Sequence, residues 1–415
     1  SEMLSQGWKT GYWTFHTLSH TWFYLAVLFT LHVFFGLTFL LGYYPRLSAL
    51  LLLIFYISLH NRNIFILQAG DDLLRLVLLW CALLPVGGRY SIDYLRKKSG
   101  QTAGLPYGGY LLLISSVYLF TVLLKSGPDW RQNFDAVYYA LQLGQLRLPF
   151  GDWLLQQTAI HRALTVLILL IEISIPLLIL WPSKKGRNRL FAFILILLLQ
   201  LCFGMTLYVG LFWIIAITSA LALVPAGTLD AVERLLRLPK QESLEASAPF
   251  PLINYAAIFI AALCLAVNLS SLKEFEYEVG SPLAEVVNAA RLDQYWGMFS
   301  PGVLRTDGYL VYHGMDSIGR QWDLRLNQDY VDYHEPQHIV DMYKNDRWRK
   351  WAENMQDDRF TFLRPLYCQY TLRSFNQHAR KRKVKLLKLY WMQKTNALEI
   401  SDKKKQILYC ICNED

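Results

Sequence analysis

Apolar residues along this chain gather into runs of near-bilayer length, and the runs stop at about residue 272. They cover Trp22–Leu41, Leu47–Leu59 with a continuation to Leu67, Leu73–Val86, Tyr110–Leu124 and Ala163–Leu180. The next, Leu190–Val224, is too long for one span and breaks near "GMTLYVG", where Gly204 and Gly210 stand; the last is Leu252–Leu269. Crossing a hydrocarbon core takes about 20 apolar residues in a helix, because lipid offers backbone N–H and C=O groups no partner outside the helix itself. The pattern predicts about eight transmembrane helices. Beyond residue 272 the period changes. "DGYLVYHGMDSIGRQWDLRL" alternates around a Gly-containing turn, as a hairpin does. Asp341 to Arg380 mixes charged and aromatic residues at helical spacing, and "VKLLKLYWM" and "QILYCIC" read as closing strands. The expected fold class is an all-α polytopic membrane bundle over residues 1–272, followed by an α+β domain over 273–415.

Charge sets the orientation. Basic residues cluster in "GGRYSIDYLRKKSG" and in "SKKGRNR", two spans apart, so both loops face one side, which the positive-inside rule makes the cytoplasm. The loop from Lys125 to Arg162 and the whole domain after the eighth segment then lie outside the cytoplasm. Composition agrees with a membrane class: 54% hydrophobic, 14% aromatic and only 18% charged, against about 25% charged in soluble domains. The net charge of +9 is largely the loop asymmetry, so no nucleic-acid partner is expected. The run Arg380–Lys383 reads first as a solvated strand or turn face. Ser1–Trp13 is polar and aromatic, without the features of a signal peptide. Cys410 and Cys412 share a strand face, and Cys368 is a distant partner for a disulfide.

Few residues are placed for chemistry. Lys125 ends an apolar run in "LLKSGPDW", where a lysine can simply snorkel to the interface. Asp71 and Asp72 open a helix, where carboxylates favour the dipole, with Arg75 one turn on; an ion-paired cap and a substrate contact both fit. Glu172 lies inside an apolar run, where an acid is a functional candidate by default; a buried pair with His161, Arg162 or Gln200 is the alternative. "HEPQH", His334 to His338, matches H-E-x-x-H, but Pro336 suits only a first helical turn, and no metal site is expected. His16 and His20 are four apart near the membrane edge.

"GYYPRLSALLLLIFYISLHNRNIFILQAGDDLLRLVLLWCALLPVGGRYSID", "KSGPDWRQNFDAVYYAL", "LLIEISIPLLILWP" and "YWGMFSP" with "DGYLVYHG" resemble, in that order, the horizontally transferred transmembrane domain family, bacterial members included. Its best-known members are the vitamin K-dependent γ-glutamyl carboxylases. The resemblance covers about residues 36 to 330. It implies a multi-pass membrane protein with its active face outside the cytoplasm, and one more helix ahead of Trp22. It also implies a hydroquinone (vitamin K or menaquinol type) as cofactor and Lys125, five residues before Trp130, as the catalytic base. No histidine stands at Gln68–Asp72, where the carboxylases proper place one. The candidate substrate-binding set is Asp71, Arg75, Trp130, His161, Arg162 and Glu172. Two functions stay open. One is a quinol- and oxygen-dependent, carboxylase-like lyase or oxidoreductase that modifies an extracytoplasmic peptide or small substrate. The other is a non-enzymatic peptide-maturation, binding or export partner. Implied partners are membrane lipid and a secreted peptide or a partner membrane protein.

Overall fold

The structure, a computed structural model, describes residues 12–88, 90–96, 99–183, 186–238, 245–247, 250–275, 278–378, 383–395 and 405–414. The chain gathers into two compact units that are not contiguous in sequence. The first comprises residues 1–127, 166–202 and 210–301, the second 128–165, 203–209 and 302–415.

The first unit is helical apart from two three-residue strands, Ser99–Gln101 and Glu245–Ser247, paired in parallel. Its longer helices are α1 (Trp22–Leu40), α2 (Pro45–Arg62), α3 (Ala69–Leu83), α4 (Gly104–Leu124), α5 (His161–Leu180, which begins in the second unit), α6 (Arg187–Thr206, which ends in the second unit), α7 (Phe212–Ala220), α8 (Ala226–Leu235), α9 (Pro251–Ser270) and α10 (Leu283–Ala290). Among the described residues five helical stretches are long and apolar enough to cross a membrane: 22–40, 104–124, 158–180, 187–206 and 251–270. A sixth is added if α7 and α8, bent by 105° across a short break, count as one span. α2 and α3 cover the second and third apolar segments but are not among the five; α3 has only 15 residues. The long run after residue 190 does break, between Thr206 and Phe212.

The helix ends follow from sequence. α1 stops at "GYYP": Gly42 takes φ +64, Tyr43 N–H donates to Thr38 O at 2.9 Å and Gly42 N–H to Phe39 O at 3.0 Å. This is the glycine-centred Schellman stop, and Pro45 then occupies the first turn of α2, where its missing N–H costs nothing. α3 starts with a reciprocal cap, in which Gln68 N–H donates to Asp71 Oδ2 at 2.9 Å.

α4 is the central helix of this unit. Of its span 61% is buried, against 6–28% for the other four. It packs on α3 and α9, and the ring of Trp80 closes on Gly109: a Cβ there would fall 2.1 Å from the indole. Gly109→Ala is therefore expected to overpack the α3–α4 contact and cost about 1–3 kcal/mol, read as a lower unfolding midpoint in detergent.

The second unit is α+β. Strands β1 (Thr306–Met315), β2 (Gln321–Asp323), β3 (Leu386–Thr395) and β4 (Lys405–Asn413) form one antiparallel sheet in the order β2-β1-β3-β4. α11 (Asp346–Gln356) precedes α12 (Leu363–His378), which covers one face through Cys368 and Leu372 against Leu387 and Cys412. Tyr309 and Val311 on the opposite face pack under Ile339 and Tyr333. Of the two strand cysteines it is Cys412 that bonds Cys368; Cys410 stays a thiol and donates to Arg364 O at 3.2 Å.

Candidate functional site

The inner face of α5 is a stripe of buried positions at Thr165, Glu172, Ile175 and Ile179, spaced as one side of a helix. Leu167, Leu170, Ile173 and Leu177 on the other side are exposed. Glu172 thus sits on the face of its helix that packs against protein. α4 ends as Lys125 leaves helical geometry, and the chain turns at Gly127, whose N–H donates to Pro301 O at 2.8 Å. There the Lys125 ammonium donates to both oxygens of Glu172, at 2.7 Å each. Lys125 is 2% exposed and Glu172 3%. Lys125 does not snorkel, and the partner of Glu172 is this lysine rather than His161, Arg162 or Gln200.

Arg75 is the centre of a second cluster. Nε donates to Arg291 O at 2.6 Å and Nη2 to Asp293 O at 2.7 Å, while Asp72 lies 3.0 Å from the same Nη2. Arg291 grips Asp293 through Nε at 2.7 Å and Nη2 at 3.1 Å, donates to Asn61 Oδ1, and lies over the ring of Tyr12. Arg75 therefore holds the backbone of residues 291–293 into the bundle. Burial pushes the Asp72 carboxyl up to about 6, with Arg75 pulling it down and Asp293 raising it further. Its folded value lies above its unfolded 3.8, so the folded state binds the proton more tightly. This group's contribution to stability falls as pH rises from about 4 to about 6. For Asp293 burial also raises the carboxyl, but Arg75 and Arg291 outweigh it and leave it below 3.8, so its effect falls in a lower window. Asp72→Asn is expected to flatten the pH 4–6 slope of unfolding free energy.

Asp71 belongs to a third group. Besides capping α3, its Oδ1 accepts from Tyr56 OH at 3.2 Å and lies 3.6 Å from His60 Nε2, whose ring meets that of Tyr56 at a tilt, 3.9 Å between centroids. An imidazole does stand at the head of α3, delivered by α2 rather than by α3 itself.

The remaining candidates belong to the second unit. Trp130 is buried in the turn Pro128–Arg131. His161 is buried, and its Nε2–H donates to Leu154 O at 2.9 Å. Arg162 is exposed. In "HEPQH" no helix forms: His334 pairs with Asp332 at 2.8 Å, His338 lies 3.5 Å from Asp152, and Glu335 lies 3.4 Å from Lys394. His16 is buried against Ser58 and His20 is exposed, so they do not pair. Arg380, Lys381 and Arg382 of the basic run lie outside the described residues. Among the described residues no group of three His, Cys, Asp or Glu could hold a metal ion.

Sequence reading missed Arg291 and Asp293. The signal was a charged pair, "RLD", running straight into "QYWGMFSP", which is odd for a linker and natural for a segment docked through its charges.

No family model matches the chain, and no curated protein or solved structure matches it either.

Proposed function

We propose that this is a multi-pass membrane enzyme of the carboxylase-like kind, using a hydroquinone and oxygen to modify an extracytoplasmic peptide or small substrate, with Lys125 as base. The observation that carries it is the buried Lys125–Glu172 pair. An ammonium facing a carboxylate carries the same net charge as an amine facing a carboxylic acid. One proton moving along a 2.7 Å hydrogen bond turns the first into the second and makes Lys125 a base without creating net charge in a buried site. Lys125 would then take the phenolic proton, and Glu172 would hold the proton Lys125 gave up.

The residues fit such a cofactor. An open apolar groove between α5 and α6, lined by Leu170, Ile171, Leu177, Leu178, Phe191 and Leu195 with Ser174, runs along the helix that carries Glu172. It suits an isoprenoid tail. When bound, the hydroquinone supplies the electrons that reduce oxygen. His60, set beside Asp71, supports the resemblance at the position where the sequence lacks a histidine. About eight spans and an outer active face remain part of this reading. The Cys368–Cys412 disulfide supports an extracytoplasmic second unit, since disulfides persist in oxidising compartments.

The test is hydroquinone-dependent turnover by reconstituted protein. Lys125→Ala is expected to lower it about 10²–10⁴-fold, the usual worth of a positioned acid or base. The double variant Lys125→Met/Glu172→Leu, which keeps the site neutral, is expected to fold and to be equally inactive. Epoxide or carboxylate formation persisting in either variant overturns the assignment.

One observation favours the binding reading. Phe362, just ahead of α12, and Leu366 and Tyr370 within it recur every four residues and are 41%, 56% and 49% exposed. Trp348 stacks on Tyr370 at 5.3 Å. Such a stripe suits an apolar peptide face. Mass spectrometry of bound species separates the two readings: a quinone supports the first, a defined secreted peptide lost in Leu366→Asp supports the second.

A further inference from the structure

α4 carries polar side chains where a central membrane helix should be apolar. Ser115, Tyr118 and Lys125 fall within ~80° of one another at 3.6 residues per turn, so they share one face, and they are 2%, 5% and 2% exposed. Two other helices answer that face. Glu172 of α5 takes Lys125 and lies close enough to Tyr118 for the groups to interact electrostatically; Gln200 of α6 donates from Nε2 to Tyr118 OH at 3.3 Å. The remaining atoms of this stripe have no protein partner among the described residues: Gln200 Oε1 and Ser115 Oγ are both buried and unbonded. Leaving a buried acceptor unsatisfied costs about 1–3 kcal/mol, and folded proteins meet that demand with protein groups or with ordered water. Tyr118, accepting from Gln200, keeps its own hydroxyl proton to donate.

We propose that ordered water fills this stripe and joins Ser115, Gln200 and Tyr118 to the Lys125–Glu172 pair, a hydrogen-bonded path along about 15 Å of α4. Each water accepts one proton and passes one on, so charge is conserved along the path and no co-reactant is needed. Its use as the exit for the proton that Lys125 gathers rests on the base reading above; the presence of the water does not.

Radiolytic footprinting in ¹⁸O-labelled water reads it without turnover. Tyr118 is expected to take up label although it is buried. Tyr110, on the same helix and equally buried, has its hydroxyl bonded to Ser219 O at 2.7 Å and is expected to stay unlabelled. Ser115→Ala and Gln200→Leu are each expected to lower Tyr118 labelling to the Tyr110 level; if Gln200→Leu does not fold, Ser115→Ala decides. Equal labelling of the two tyrosines in the unaltered protein, or Tyr118 labelling that survives Ser115→Ala, overturns the proposal. Labelled Tyr118 in a protein without quinol turnover leaves the water path standing and removes only the enzymatic reading.

Discussion

Replacing Glu172 by leucine is expected to destabilise the helical unit by about 3–5 kcal/mol, because it strands the Lys125 ammonium in a site buried from bulk solvent. Lys125→Met should cost a similar amount by stranding the carboxylate. Both effects arise from an uncompensated buried charge rather than from the strength of the pair itself. Desolvating two ions cancels most of what they gain from each other, so the double replacement Lys125→Met/Glu172→Leu is expected to lie close to the unaltered protein, or above it by about 1–4 kcal/mol. A double-mutant cycle measured by unfolding in mixed micelles gives the coupling directly. A Glu172→Leu protein as stable as the original would mean that Lys125 reaches bulk solvent after all, and the snorkelling reading would return. A stable but inactive double variant would mean that the pair is retained for chemistry at no gain in stability.

Arg75→Leu is the second large effect, again about 3–5 kcal/mol. It removes the group that meets Arg291 O, Asp293 O and Asp72 together, and leaves two buried carbonyls and a carboxylate without it. Arg75→Lys should recover little. A single ammonium cannot reach two carbonyls and a carboxylate from the directions that a planar guanidinium spans. The loss should be local before it is global. Hydrogen exchange in residues 291–296, where Trp296 is fully buried, should quicken in both variants while α6 keeps its protection. Uniform loss of protection would instead make Arg75 a support of the whole unit.

How much of this was legible in the sequence depended on distance along the chain. The apolar run Trp22–Leu41 became α1 almost residue for residue, because a helix satisfies the backbone N–H and C=O groups of a long apolar stretch within the stretch itself. The stop at "GYYPR" was equally local, since a glycine at positive φ and a proline in the next first turn need no distant partner. The hairpin around "HGMDSIGRQW" formed for the same reason. The disulfide was half legible. Spacing put Cys410 and Cys412 on one strand face, but only the packing of α12 on β4 chose Cys412.

The site was legible as a set of residues and not as an arrangement. Lys125 and Glu172 were each conspicuous, one for ending an apolar run and the other for interrupting one, yet they are 47 positions apart. Asn61 and Arg291 are 230 apart. Helical periodicity states which face of its own helix a side chain presents. It does not state which other helix that face meets, because the choice depends on the summed packing of many apolar residues that look alike in sequence. The sequence alone therefore determined that the chain carries helices long and apolar enough to cross a membrane, where some of them stop, and which polar residues are anomalous in them. Only the tertiary structure decided that the anomalous lysine and the anomalous glutamate satisfy each other, and that Arg75 holds a segment more than 200 positions away. The physical reason is that a buried charge must find its counter-charge in space, and contacts of that range are set by how the helices pack.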